Sequence, residues 1–270
     1  EIFKMEYWPL ELAKIKPSSQ KLKGHVTAIT GGLGAIGYAT AKKFIKEGSE
    51  VVIIDVIDEK DNKLDLTGMT YIKCDITKED KVKDCYKIIS QNFGGVDILV
   101  SNAGFAIQEA LETLSKKQLD SSFDLNFFAH HYFVKHGTAI MKNQNIKGSV
   151  IFNISKQAIN PGPNFGAYGL PKAALMFLMK QYVVESSKFG IRFNGVNADR
   201  IRSGLLSPEM IAKRAKSRGL SIEAYMAGNL LKEEVKASDV ADAFYHLAIS
   251  YKTTASVITV DGGNIESSLR

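Results

Sequence analysis

From Lys23 onward, short runs rich in Val, Ile and Thr alternate with longer stretches of helical period, and this alternation limits the fold more than any other feature of the chain. Strand-length apolar runs separated by helical stretches pack best as parallel strands whose crossover helices cover both faces of the sheet. The pattern predicts strands at His25–Thr30, Val51–Asp55, Thr70–Lys73, Asp97–Val100, Ser149–Asn153, Ile191–Val196 and Ser256–Val260. It predicts helices over Ile36–Glu47, Lys78–Phe93, Lys116–Met141 and Ala167–Phe189. At 270 residues, one domain of this kind accounts for the whole length.

Two segments depart from the alternation. Residues 1–21 carry Pro9 and the run Lys16-Pro17-Ser18-Ser19-Gln20, and read as a linker or N-terminal extension before a domain over 22–270. The chain opens on Glu1, with neither an initiating Met nor a basic-then-apolar leader, which points to a piece of a longer polypeptide in the cytoplasm. The stretch 203–232 holds two short helical patterns where a tight connection would suffice. An insertion beyond the carboxyl end of a strand is where an open α/β sheet takes its ligand, so it is a candidate substrate lid.

Composition narrows the function classes. A chain that is 45% hydrophobic and 24% charged has no stretch near the ~20 apolar residues of a membrane span. Its net charge of +6 comes from lysines spread along the chain, which argues against a nucleic-acid surface. Cys74 and Cys85 fit neither a metal knuckle nor a disulfide framework. His130, His131 and His136 share a helix without the i, i+4 spacing of a two-His metal site, so no metal is expected.

The first predicted strand runs into Thr30-Gly31-Gly32-Leu33-Gly34-Ala35-Ile36-Gly37, where Gly32, Gly34 and Gly37 have G-x-G-x-x-G spacing. Glycines there permit a tight turn and bring backbone N–H groups and the positive end of a helix against a pyrophosphate. Asp55 ends the next strand, where its carboxylate suits the two hydroxyls of an adenosine ribose and repels a 2′-phosphate. Asp75 and the run Asn102-Ala103-Gly104 supply small and polar groups at the ends of later strands. The fold class is α/β, a single Rossmann-like doubly wound parallel sheet with helices on both faces, and the cofactor is NAD.

Ser155 follows the Ser149–Asn153 strand, and Tyr168 and Lys172 stand at i and i+4 on the next helix, one above the other on one face. A tyrosine with a pKa near ~10 is a poor base at neutral pH, but an adjacent ammonium favours the phenolate. Tyr168 then serves as general acid or base, with Ser155 holding the same substrate oxygen.

Together these residues resemble the short-chain dehydrogenase/reductase family over nearly all of residues 22–263. The match runs through Thr30–Gly37, Asp55, Asp75, Asn102–Gly104, Ser155, Tyr168-Gly169-Leu170-Pro171-Lys172 and Val260-Asp261-Gly262-Gly263. The resemblance implies that Tyr168 carries the proton, Lys172 holds the nicotinamide ribose and Ser155 orients the substrate, while Asn126 completes a proton relay. It also implies cofactor contacts from Gly31, Leu33, Ile36, Val56, Ile76, Ile201 and Ser203. It makes homodimers or homotetramers and a small alcohol or carbonyl substrate the expected partners.

Ala35 replaces the middle glycine of the family loop, and Ala198-Asp199 replaces its usual Pro-Gly. The second change puts Asp199, Arg200 and Arg202, with Gln157, near the expected substrate, where a guanidinium suits a carboxylate or phosphate; a structural ion pair is the competing expectation. Glu6–Glu11, Asn160–Phe165, Asn197–Ser203 and Tyr225–Asn229 further resemble the dehydrogenase half of bifunctional class II aldolase/short-chain dehydrogenases. That implies a fused N-terminal aldolase and a polyol, sugar or hydroxyaldehyde substrate. The rival expectation is an idle NAD-binding domain that regulates or scaffolds an aldolase.

Overall fold

The computed structural model describes residues 2–16 and 18–264, with side chains from residue 9 onward. Pro17 and the side chains of Glu6, Tyr7 and Trp8, which entered the sequence reading, lie outside the described residues, as do residues 265–270. Strands β1 (Val26–Thr30), β2 (Glu50–Asp55), β3 (Met69–Lys73), β4 (Ile98–Ser101), β5 (Ser149–Asn153), β6 (Arg192–Ala198) and β7 (Val257–Val260) form one sheet in the order β3-β2-β1-β4-β5-β6-β7. Every neighbouring pair is parallel. The chain winds outward from β1 to β3 and then returns to lay β4 on the other side of β1. Between β1 and β4 the strand order therefore reverses, which opens a crevice at their carboxyl ends.

Both faces of the sheet are covered, which is why its strands read as near-continuous apolar runs. On one face Ala28, Val52, Leu99, Val150 and Phe152 pack against α3 (Glu79–Phe93), α5 (Ala129–Gln144) and α6 (Gly166–Ser186). On the other, Ile29, Ile53, Val100, Ile151 and Val196 pack against α2 (Ala35–Lys46) and α9 (Ala237–Ile249). Alternate residues of each strand thus serve opposite cores, as a side-chain period of two requires. Cys74 and Cys85 are free, buried in the first core and hydrogen-bonded thiol to thiol.

Two elements differ from the expectations. The predicted helix over Lys116–Met141 is α4 (Lys116–Phe123), a π-helical turn over Asp124–Phe128, and then α5. Ser115 caps α4 by accepting from the Gln118 amide, while the Gln118 side chain reaches back to the Ser115 amide. The 203–232 segment forms α7 (Pro208–Lys216) and α8 (Ile222–Met226), joined by a small core of Leu206, Ile211, Ala215, Tyr225 and Met226.

The second difference concerns the N-terminal segment, which forms helix α1 (Ile2–Ile15) where a connecting segment is expected. Leu10 packs on the α3-side core, and Gly24, at φ +79°, leaves room for the Leu10 carbonyl and Ala13. Lys14 Nζ lies 2.6 Å from Oδ1 of buried Asp97, whose Oδ2 accepts from the Val26 amide at 2.8 Å. One carboxylate thereby ties α1 to the first residue of β1 and to the start of β4. Asp97→Ala orphans the buried Val26 N–H and removes one of the carboxylates around Lys14, which keeps Glu11 at 2.7 Å, and is expected to cost about 1–3 kcal/mol in urea unfolding. A loss below about 0.5 kcal/mol, the range of an ordinary surface change, would show that α1 is not anchored there.

Candidate active site

The crevice between β1 and β4 continues into a cavity of about 860 Å³. Its lining includes the expected Gly31, Leu33, Gly34, Ile36, Asp55, Val56, Asp75, Ile76, Asn102, Ala103, Gly104 and Ser203. Three of the loop glycines are sterically required. Gly31 adopts φ +62°, and a Cβ on it would lie 2.8 Å from the Ala103 Cα. A Cβ on Gly32 would collide with the Ile53 side chain, and one on Gly37 with the Gly31 carbonyl. Gly34 only precedes α2 and would tolerate a side chain. Ala35 is exposed at the first position of α2, so the departure from the family's middle glycine strains nothing. A backbone packed this tightly, opening at a helix N-terminus, fits a dinucleotide pyrophosphate.

Asp55 accepts from the Leu33 amide at 3.1 Å and from the Val56 amide at 2.8 Å, so its carboxylate sits between the glycine loop and the end of β2. Exposed Val56 and Ile57, with Ile76, give that end of the cavity an apolar border suited to an adenine. Asp75 lines the same end, but one of its oxygens accepts from both the amide and the hydroxyl of Thr77. Ile201 buries its side chain in the α9-side core.

The strand ends are joined by hydrogen bonds that sequence reasoning did not assign. Thr30 Oγ1 accepts from the Asn102 amide at 2.9 Å, and Asn102 Nδ2 donates to the Thr30 carbonyl at 3.0 Å. Asn153 Nδ2 donates to Asn102 Oδ1 at 2.8 Å, and Lys172 Nζ donates to the Asn153 carbonyl at 2.8 Å. The only signal for Asn153 was an amide side chain closing a strand beside the expected site.

Ser155, Tyr168 and Lys172 are brought together as expected. Ser155 caps a short 3-10 turn by accepting from the Gln157 amide at 3.2 Å, and it also hydrogen-bonds Tyr168. Lys172 is 1% exposed, with its ammonium 5.8 Å from the Tyr168 ring centroid. Burial pushes Tyr168 up to about 12, opposed by the Ser155 hydrogen bond. Burial also pulls Lys172 down to about 7. The expected lowering of Tyr168 by Lys172 is therefore absent: the ammonium faces the Asn153 carbonyl, and burial disfavours both charged forms.

Asn126 lies on the π-helical turn, fully buried, and its Nδ2 donates to the Phe105 carbonyl at 2.9 Å and to Ser122 Oγ at 3.0 Å. Its Oδ1 accepts from the Phe105 amide at 3.3 Å. The side chain thus holds the segment after β4. Gly104 is the only residue size that fits there, since a Cβ would lie 2.9 Å from Asn126 Oδ1 and 3.7 Å from Lys172 Nζ.

The four residues expected at the substrate serve the surrounding loops. Gln157 Oε1 accepts from the Gly162 amide at 2.7 Å. Asp199 lies 3.4 Å from Lys156 and 3.6 Å from Arg200, and accepts from Asn264 Nδ2. Arg200, at φ +53°, donates to the carbonyls of Tyr225 at 2.9 Å and Gly228 at 3.0 Å, closing the end of α8, and its guanidinium covers the Tyr225 ring. Arg202 makes a two-pronged pair with Glu234 at 2.6 and 3.0 Å. Both guanidiniums thus have partners within the fold, the outcome that the competing structural ion-pair expectation describes. The 203–232 segment is also fastened by Arg214 over the Phe165 ring, at 5.1 Å, and by Gln108 against Met210.

The chain belongs to the short-chain dehydrogenase/reductase family. A family model described as enoyl-(acyl carrier protein) reductase matches residues 32–264. Short-chain dehydrogenase reductase 5 of Arabidopsis thaliana is 31% identical over 253 residues, covering 91% of this chain and 96% of that protein. The uncharacterized oxidoreductase YuxG of Bacillus subtilis is 33% identical over 97% of this chain, which spans 41% of that protein's length. Among solved structures, the ligand-free aldohexose dehydrogenase of Thermoplasma acidophilum superposes with a TM-score of 0.79 at 27% identity, covering 90% of this chain and 95% of that one. The family consists of oxidoreductases that act on CH–OH or carbonyl groups with a nicotinamide cofactor, and the cavity described above fits such a group. Among the described residues, no helix is long and apolar enough to cross a membrane.

The Lys172 burial has a measurable consequence. Its folded-state pKa of about 7 lies below the ordinary 10.5, so between these values the unfolded chain binds more protons than the native one. Native stability gains from this group as pH rises through that window. Lys172→Met is expected to flatten the rise in unfolding free energy between pH 7 and 10 by on the order of 3 kcal/mol. Parallel pH profiles for wild type and variant would contradict the buried-lysine account.

Proposed function

We propose that the chain is an NAD-dependent oxidoreductase that interconverts an alcohol and a carbonyl on a small polyol, sugar or hydroxyaldehyde, in the cytoplasm and as a homodimer or homotetramer. The observation that carries the catalytic part is the hydrogen bond between Ser155 and Tyr168 with Lys172 buried one helical turn further on. Support for NAD over NADP comes from Asp55 between the glycine loop and β2, in a cavity whose lining includes no Lys or Arg. A carboxylate there accepts from ribose hydroxyls and opposes a 2′-phosphate.

A bound nicotinamide would supply hydride chemistry at the substrate carbon. Gly31 to Gly37 and Asp55 would hold the dinucleotide, with Lys172 on the side of its nicotinamide ribose. Tyr168 Oη takes the hydroxyl proton in oxidation and returns it in reduction, while the Ser155 hydroxyl orients the same oxygen. With Tyr168 at about 12 without cofactor, proton abstraction needs added positive charge near the phenol. Oxidation therefore depends on a cationic partner at that oxygen, and reduction finds the phenol already protonated. Gly204, Leu205 and Met210 of the 203–232 segment line the cavity, as a substrate lid would.

The resemblance of the lid and flanking loops to bifunctional aldolase/dehydrogenases directs the substrate choice, as does the named activity of the Thermoplasma relative. The dehydrogenase reading stands on these residues with or without an aldolase domain attached. The test is NAD⁺ reduction against a panel of polyols, sugars and hydroxyaldehydes. Tyr168→Phe is expected to keep NADH affinity and to lower turnover on the best substrate by ~10² or more, because the ring stays and the proton-carrying oxygen goes. Near-wild-type turnover in the variant would remove Tyr168 from the chemistry, and no turnover of any panel member by the wild type would favour a cofactor-binding domain without catalysis.

A further inference from the structure

His130 is fully buried on α5 and takes no part in the site as described so far. It stands one helical turn beyond Asn126, the residue that holds Phe105. Its Nδ1 lies 2.6 Å from Oγ of Ser101, itself fully buried at the end of β4. Its Nε2 is buried without a hydrogen-bond partner. A buried, unpaired imidazole nitrogen costs on the order of 1–3 kcal/mol, so a merely packed residue at this position would better be apolar.

We propose that His130 is a positioning residue: its neutral ring fixes the turn Ser101–Gly104, and through that turn the surface on which the cofactor and the Lys172 ammonium rest. Ser101 begins the turn whose next residues, Asn102, Ala103 and Gly104, line the cavity, and whose Gly104 abuts both Asn126 and Lys172. Ser101 has no freedom to be replaced by the backbone here, since it lies inside the β4–β5 pairing opposite Phe152.

Burial first, and the neighbouring Lys172 charge second, push the His130 pKa well below its ordinary value, while the Ala103 backbone acts in the opposite sense. A neutral ring has one donor and one acceptor nitrogen. The Ser101 hydroxyl and Nδ1 share one hydrogen bond at 2.6 Å, which a neutral ring forms with Nδ1 as acceptor or as donor. His130 thus grips the turn without placing a second cation beside Lys172, which a lysine or arginine at this position would do.

The catalytic consequence rests on the dehydrogenase reading, but the turn can be tested without cofactor. Amide hydrogen exchange of residues 102–105 is measured in wild type, His130→Phe, His130→Asn and Ser101→Ala, alongside NADH affinity by fluorescence. His130→Phe keeps the ring and loses both nitrogens, and is expected to speed exchange in the turn about tenfold, with β1 unchanged, and to weaken NADH about tenfold. His130→Asn puts a polar atom near the Nδ1 position and is expected to recover most of both effects. Ser101→Ala should match His130→Phe, and carries the test if that variant does not fold.

Exchange in the turn at the wild-type rate in folded His130→Phe or Ser101→Ala would overturn the proposal. So would an Asn variant as impaired as the Phe variant, which would mark the ring as packing. A wild type that does not bind NADH overturns the dehydrogenase reading instead, and leaves the exchange comparison to decide the role of His130.

Discussion

The site depends on one chain of hydrogen bonds across the carboxyl ends of three adjacent strands. Thr30 ends β1 and holds Asn102 after β4; Asn102 accepts from Asn153 at the end of β5; and the Asn153 carbonyl accepts from Lys172. The glycine loop follows Thr30 directly, so the loop proposed to hold a pyrophosphate and the Lys172 ammonium share one continuous support. Parallel strands make this possible, because they bring successive carboxyl ends to the same edge of the sheet. The reversal of order between β1 and β4 then leaves the crevice that the ligand fills.

Burial is the second constraint, and it sets the chemistry. Tyr168 at about 12 and Lys172 at about 7 are both displaced toward their neutral forms by burial, so proton abstraction at Tyr168 depends on positive charge near the phenol. The polar residues around the site do not supply that charge. Asp199, Arg200 and Arg202 have their partners in Lys156, the α8 carbonyls and Glu234, and they hold the lid segment in place.

The sheet and the central constellation were legible because each rests on local signals: period-two apolar runs, glycines whose Cβ has no room, and an i, i+4 pair on one helix face. The Ser149–Asn153 strand was read to the residue, and the two short helices of the lid were expected. What escaped depends on contacts between residues distant in sequence. Helix α1 was hidden by Pro9 and the Lys16–Gln20 run, and what anchors it is an ion pair with Asp97, far along the chain. The π-helical turn at Asp124–Phe128 interrupts a period that reads as one helix, because one extra residue per turn leaves composition unchanged. The roles of Arg200 and Arg202 stayed open between substrate binding and a structural ion pair, because a guanidinium near a site looks the same in sequence whether it meets a substrate, a carboxylate or a backbone carbonyl. Asn153 and His130 gave no signal beyond their residue type, since both act through a strand end that only the folded sheet assembles.

The crevice between β1 and β4 is proposed to hold a nicotinamide dinucleotide whose adenosine ribose is unphosphorylated. Titrating the protein into NADH and into NADPH, each followed by its own fluorescence, tests it most directly. The account predicts saturable binding of NADH at least about tenfold tighter than NADPH, a difference of about 1.4 kcal/mol that Asp55 imposes. Equal or tighter binding of NADPH would contradict the role of Asp55, and binding of neither would contradict the assignment of the crevice itself.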